Sequence, residues 1–265
     1  MAAGSILNNI SAIGASRQLG LTSAGMEKTI QRLTSGRRIN VAMDDAAGLA
    51  ISNKLGADIR ISNQARRNAL DGIAYLAVGD GALDEVTNLL TRAAELTQQA
   101  KTGTISESNR KAINEEFKAI KNAIDNVGAN AKFNGQKVFT DDELFASVAD
   151  YTNITITVGE MSGKITGDLL TTDNAGTAEG VIEKAIQEVS MQRAKIGANQ
   201  QSLTTIANTL GIQVENFTAA NSQIRDANIA DEVISLTKFQ ILQQSGTAAL
   251  ANSNQAAQMV LGLLR

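Results

Sequence analysis

Residues 181–224 read VIEKAIQEVSMQRAKIGANQQSLTTIANTLGIQVENFTAANSQI, and the spacing of their apolar side chains decides the fold. Ile182, Ile186, Val189, Ile196, Leu203, Ala207, Leu210, Val214, Phe217 and Ile224 follow an alternating four-three pattern, broken by the polar Arg193, Gln200 and Asn221. A seam that repeats every 3.5 residues is what keeps a long helix packed along a partner helix. At 1.5 Å per residue that helix runs on the order of 65 Å, so its partner must be equally long. The rest of the chain has to provide that partner.

Composition favours uninterrupted helices. The 265 residues include no proline, where ordinary usage would give roughly a dozen. Proline removes a helix donor and clashes with the preceding turn, so its absence suits long helices. Aromatic content is 3% and tryptophan is absent, which describes thin helix-on-helix packing through small residues. The absence of cysteine removes disulfides, thiolate nucleophiles and cysteine metal sites. The absence of histidine removes the commonest general base and metal ligand. A net charge of −3 gives no pull towards nucleic acid. No apolar run approaches the roughly 20 residues of a membrane span. The first twenty residues lack the basic, apolar and small-residue regions of a cleavable signal peptide. The reading is a soluble chain, or one exported by a route that needs no cleavable signal, that is not an enzyme and takes no cofactor and no metal.

Read from its start, the chain carries a helical face at Ile6, Ile10, Ile13, Leu21, Ile30 and Leu33, thinned by Gly14, Gly20 and Gly25. A break follows at residues 36–40, after which Asp44 or Asp45 caps a second helix of roughly 55 residues. Its seam of Ile73, Leu76, Leu83, Leu90 and Leu96 stops near Gly103, so this helix is the long partner. Ser106 or Ser108 caps a third helix with Ile113, Phe117, Ile120, Ile124 and Val127 on one face, ended by Gly128. Between residues 129 and 180 the period changes. Asn134-Gly135 is a two-residue hairpin signal between Lys132-Phe133 and Val138-Phe139. Residues 140–143, TDDE, match a capping box and predict one helical turn. Ile154, Ile156 and Val158 alternate as in a half-buried strand, which residues 159–163 turn back onto residues 164–166. Residues 173–176 read as a loop ahead of the long helix. After a second break at residues 225–228, a last helix carries Ile229, Val233, Leu236, Leu242, Leu250, Leu261 and Leu264. The expected fold class is mainly α, long antiparallel helices forming a coiled-coil rod, with a small β-hairpin region in mid-chain. Both ends are amphipathic, so they are expected to pair with each other and with copies from other chains.

No phosphate loop or paired-carboxylate cluster emerges, and Arg37-Arg38 and Arg66-Arg67 read as solvated faces. Other stretches are distinctive. Residues 33–40, LTSGRRIN, and residues 42–51, AMDDAAGLAI, resemble the amino-terminal signature of bacterial flagellins. Residues 133–135, 240–244 and 260–265 resemble the same family, and the likeness covers about residues 5–140 and 180–265. Two departures stand out: the variable outer domains are missing from the middle, and Asn228 occupies a position where Asp is more usual.

The resemblance implies a structural subunit that self-assembles into the helical flagellar filament for swimming motility. It implies three regions: a filament-core helix over 1–43, a helical rod over 44–224 with hairpins at 130–176, and a second core helix over 225–265 pairing with the first. The self-assembly residues it points to are Ile6, Leu7, Ile10, Ile13, Ile229, Val233, Leu236, Leu242, Leu250, Val260, Leu261, Leu263 and Leu264. It also implies secretion through a type III export apparatus with an export chaperone. The further partners are the filament cap, the hook-junction proteins and a vertebrate Toll-like receptor that reads the rod's outer face. Arg92, Glu95, Leu96 and Glu116 match the receptor-read positions. The alternatives are a hook-filament junction protein and a non-polymerising coiled-coil scaffold.

Overall fold

Five helices and four strands follow one another in the computed structural model, which describes residues 9–148, 151–158 and 166–263, with side chains beyond 140 in the strands and at 257 and 260–263 outside the description. In order they are α1 (Ile10–Ser35), α2 (Ala46–Lys101), α3 (Glu107–Asn130), β1 (Lys132–Phe133), β2 (Gln136–Lys137), β3 (Thr140–Val148), β4 (Tyr151–Val158), α4 (Thr172–Arg225) and α5 (Ile229–Leu263). The chain divides into two compact units, Met1–Asp58 with Asn216–Arg265, and Ile59–Glu215. The division cuts α2 and α4 within their lengths, where the sequence places boundaries at the helix breaks near 43 and 225.

Unit Ile59–Glu215 holds the heptad core. On α2, Ala65, Ala69, Leu76, Leu83, Val86, Leu90, Ala93, Thr97 and Ala100 are buried at three-four intervals. On α4 the buried set is Ala175, Ala178, Ile182, Ala185, Val189, Ile196, Leu203, Ala207 and Leu210. The polar contacts give the direction of packing. Arg193 reaches Asp80 and Asp84, while Glu179 reaches Gln98 and Lys101, so α4 runs antiparallel to α2. Likewise Arg110 reaches the Ala100 carbonyl and Arg92 reaches Glu116, so α3 is antiparallel to α2 as well. Each fully buried leucine in this stack contributes roughly 1.5–3 kcal/mol relative to an exposed one.

The hairpin closes one part of that core. Asn134 (φ 49°) and Gly135 (φ 82°) both sit in the left-handed region, as a two-residue turn that matches strand twist requires. Pairing is Phe133 with Gln136, so the second strand is two residues nearer the turn than Val138-Phe139. Val138 and Phe139 instead enter the core, fully buried. The Tyr75 hydroxyl donates to the Val138 carbonyl at 3.1 Å, and the edge of one ring meets the other between Tyr75 and Phe133, 6.0 Å between centroids. A buried Asn114 side chain accepts from the Leu169 backbone N–H at 2.8 Å, tying the approach to α4 onto α3.

Three local expectations are corrected here. Residues 140–143 form no helical turn but open β3, whose antiparallel pairing with β4 runs from Thr140–Val158 to Val148–Tyr151. The capping-box pattern loses to cross-strand pairing with the threonine-rich segment that follows. Residues 173–176 are helix, because α4 begins at Thr172 and Ala175 is already in the core. Gly128 does not end α3, which continues to Asn130 with Gly128 buried. The turn expected at 159–163 lies outside the described residues.

In the other unit α1 and α5 pack antiparallel. Asn9 contacts Ser253, Leu19 approaches Gly246, Phe239 covers Gly25, and Arg32 pairs with Glu232. The two helix breaks are stitched together by backbone bonds from Arg38 N to Arg225 O (2.7 Å) and Ala227 N to Gly36 O (2.9 Å). Gly36 ends α1 in the left-handed conformation (φ 68°) that a helix terminus favours and a Cβ opposes. Ser106 caps α3, its hydroxyl accepting from Asn109 N, and Asp45 caps α2 by accepting from Gly48 N at 2.8 Å. Asn228 caps α5 by accepting from Ala230 N and donating to Asp231, so the amide serves where a carboxylate is more usual.

Candidate assembly and recognition surfaces

The α1–α5 pair differs from an ordinary amphipathic pair. Its less exposed stripe on α1 is Ala12, Ala15, Leu19, Thr22, Met26, Thr29 and Leu33, again three-four spaced. The matching stripe on α5 is Glu232, Leu236, Phe239, Gln243, Gly246, Leu250 and Ser253. Small and polar residues therefore fill most of the seam. Every isoleucine of both helices is exposed, among them Ile10 (75%), Ile13 (63%), Ile234 (67%) and Ile241 (58%), and so is Leu21 (62%). Ile229, Val233 and Leu242 are exposed too. Many large apolar side chains exposed on one helix pair mark an interaction site. Of the sequence-expected assembly residues, Leu236 and Leu250 sit in the intramolecular seam rather than on the outer surface. Ile6, Leu7 and Leu264 lie outside the described residues, as do the side chains of Val260, Leu261 and Leu263.

The signature stretch at 36–48 has a structural explanation that sequence could not give. Asp44 accepts backbone N–H groups of Asn40 and Val41 and pairs with Lys28 at 2.6 Å. The Lys28 ammonium, then the Asn40 N–H, hold its carboxyl at about 2 against an ordinary 3.8. Next to it, a Cβ on Gly48 would collide with the Asp45 carboxylate and lie 2.8 Å from Ile39 Cδ1, so glycine is required for this close approach. The adjacent aspartates thus do different structural jobs, and the cleft they share with Arg32, Arg38 and Ile39 balances two carboxylates against two guanidiniums. Among the described residues no group of three or more acidic or other ligating side chains converges as a metal site. No described helix is long and apolar enough to cross a membrane.

The second surface lies on α2 and α3. The Arg92 guanidinium donates to Glu116 at 3.0 and 2.8 Å and to Glu95 at 2.9 Å, all three side chains being about half exposed. Glu116, then Glu95, push the Arg92 guanidinium above its ordinary range. Leu96 does not belong to this surface. It is 1% exposed, in the same buried cluster as Ile113 and Phe117, as its place in the apolar seam of α2 requires. The expectation that Leu96 forms an exposed anchor beside Arg92 is corrected accordingly.

Sequence reading treated the polar members of the seam as flaws, and it missed their partners. Arg193 reaches Asp80 (2.9 Å) and Asp84 (2.8 Å), which hold its guanidinium above the ordinary range. Asn221 accepts from the buried Ser52 hydroxyl at 2.6 Å. The partners lie more than a hundred positions away on the antiparallel helix and are legible only once the register is known.

Comparison with known proteins agrees with these features. The bacterial flagellin N-terminal helical region matches residues 6–143, and the bacterial flagellin C-terminal helical region matches residues 180–264. A flagellin of Halalkalibacterium halodurans is 37% identical over 98% of this chain and 99% of its own length. The flagellar filament 33 kDa core protein of Treponema phagedenis is 36% identical over the same shares. The crystal structure of Bacillus cereus flagellin superposes with a TM-score of 0.50 at 26% identity, covering 58% of this chain and 94% of that one. The chain belongs to the bacterial flagellin family, structural proteins of the flagellar filament.

Proposed function

We propose that this chain polymerises with copies of itself into the helical filament of the bacterial flagellum and there transmits motor torque as thrust for swimming. The observation that carries the reading is the α1–α5 pair, which leaves its isoleucines exposed and fills its own seam with a mixture of small, polar and a few large apolar residues. One chain leaves that apolar surface in water, and heterologous contacts between copies cover it while generating an open helix instead of a closed ring. Export proceeds through a flagellar type III apparatus with a chaperone, and the growing polymer meets cap and hook-junction proteins. The test uses residues exposed in the single chain. Ile13→Asn with Ile241→Asn should leave helix content unchanged and abolish polymerisation. Growth at the parent critical concentration would overturn the reading.

A second role rests on the charged cluster of the other unit. We infer that Arg92, Glu95 and Glu116 form a surface that a vertebrate Toll-like receptor reads on the monomer. What supports it is three half-exposed charges held in one geometry on neighbouring helices. Arg92→Ala should weaken receptor signalling roughly tenfold, as expected where few residues dominate binding. Signalling unchanged in that variant would remove the receptor reading and leave the filament reading intact.

A further inference from the structure

Three glycines thin α1, and they differ in what stands over them. A Cβ placed at Gly14 or Gly20 would meet nothing within 4 Å. At Gly25 it would lie 2.7 Å from both Cε1 and Cζ of Phe239 and 3.3 Å from Cε2. Phe239 is the single aromatic residue in either helix of the pair. Three ring atoms crowd one backbone position, so a Cβ there would require the ring to turn aside or the two helices to separate locally.

The rest of the seam mixes sizes: Ala12, Ala15, Thr22 and Thr29 alternate with Leu19, Met26 and Leu33 on α1, and Gln243, Gly246 and Ser253 with Leu236 and Leu250 on α5. Phe239 is the bulkiest side chain among them, and it seats on a residue with no side chain of its own. Sliding α5 by seven residues would carry its ring from Gly25 to Gln18 or Arg32, whose long side chains fill the space that glycine leaves open. One heptad further along α5, Leu19 Cδ1 lies 3.2 Å from where a Cβ on Gly246 would sit, a second and looser socket in the same register.

We infer that the seating of Phe239 on Gly25 fixes the register in which α1 pairs with α5, and thereby the alignment of the outward apolar residues of both helices. Gly25 and Phe239 are positioning residues for assembly, and the second half of the inference rests on the self-assembly reading above. Elsewhere in an exposed helix, glycine to alanine favours the helix by up to about fivefold in equilibrium. At Gly25 the overpacked ring reverses the sign, with a loss of roughly tenfold.

The absence of cysteine in the natural chain makes the register directly measurable. Asn9 and Ser253 are in contact, the Asn9 amide donating to the Ser253 carbonyl at 3.1 Å, so Asn9→Cys with Ser253→Cys reports the register through a short bismaleimide. Cross-linking is read on the monomer and on the polymerised chain, beside a polymerisation assay. In this background, Gly14→Ala and Gly20→Ala should cross-link and polymerise as the parent does. Gly25→Ala should lose roughly tenfold in cross-link yield and in polymerisation, and adding Phe239→Leu should restore both. Rescue separates lost register from general damage to the helix. Undiminished cross-linking in Gly25→Ala, or no rescue by Phe239→Leu, overturns the inference, as does a parent pair that cross-links in neither state. A parent that cross-links in register but never polymerises supports the register and sinks the self-assembly reading instead.

Discussion

Asp44 concentrates much of the local order of the signature stretch in one carboxylate. It holds the turn at residues 40–41 through two backbone donors and ties it to α1 through Lys28. Asp44→Ala leaves those donors to water and should cost about 1–3 kcal/mol, readable in a thermal melt. Its folded pKa lies below its ordinary value, so the stabilisation is complete above about 3.8 and is lost as pH falls towards about 2. Asp44→Ala should therefore flatten the stability profile between those two pH values while leaving its shape above them unchanged. An identical acid limb in variant and parent would contradict this assignment. Leu96 gives a second residue-level outcome. As a core residue, Leu96→Ala should lower stability by about 2–5 kcal/mol, where a surface anchor would leave the melt unmoved.

At the level of elements, two helix pairs share a heptad pattern and differ in what fills it. The α2–α4 seam carries Leu76, Leu83, Leu90, Ile182, Val189, Ile196, Leu203 and Leu210, all nearly inaccessible to water. The α1–α5 seam instead interleaves Leu19, Met26, Leu33, Leu236, Phe239 and Leu250 with alanine, threonine, glutamine, glycine and serine, and only Thr22 and Thr29 of α1 are buried. Hydrogen exchange on the free chain should accordingly be far slower at 182–210 than in α1 or α5, because local opening is easiest where little apolar area is buried. Equal protection would mean that the thin seam is not weak. This contrast also explains what sequence could reveal. A four-three run of leucine and isoleucine announces α2, α3 and α4, while Ser106 announces the start of α3, Gly36 the end of α1 and Asn134-Gly135 the hairpin turn. The terminal pair has its isoleucines on the wrong side for its own partner, so periodicity finds the helices but not the seam. Residues 140–143 carry a helix-start pattern that pairing with the next strand overrules, and Leu96 is legible as a core residue from the α2 seam although the family resemblance places it on the surface. The polar residues Arg193 and Asn221 acquire meaning only with Asp80, Asp84 and Ser52, which sequence separates by more than a hundred positions.

For the whole molecule, the proposed roles rest on surfaces. The two compact units divide the labour proposed for the chain: one holds the large apolar core and the charged Arg92 cluster, the other presents isoleucines that it does not bury itself. Removing large side chains from an interface that every subunit repeats multiplies a loss of roughly 2–5 kcal/mol per buried contact along the polymer. Deletion of residues 260–265 should therefore stop growth while the unit Ile59–Glu215 keeps its melting transition, a result that calorimetry and sedimentation together would establish. The most direct measurement of the central claim is an electron micrograph of the purified chain after one cycle of depolymerisation and repolymerisation. Long helical filaments are the predicted result. A monodisperse species that stays unassembled at every concentration and salt would contradict it.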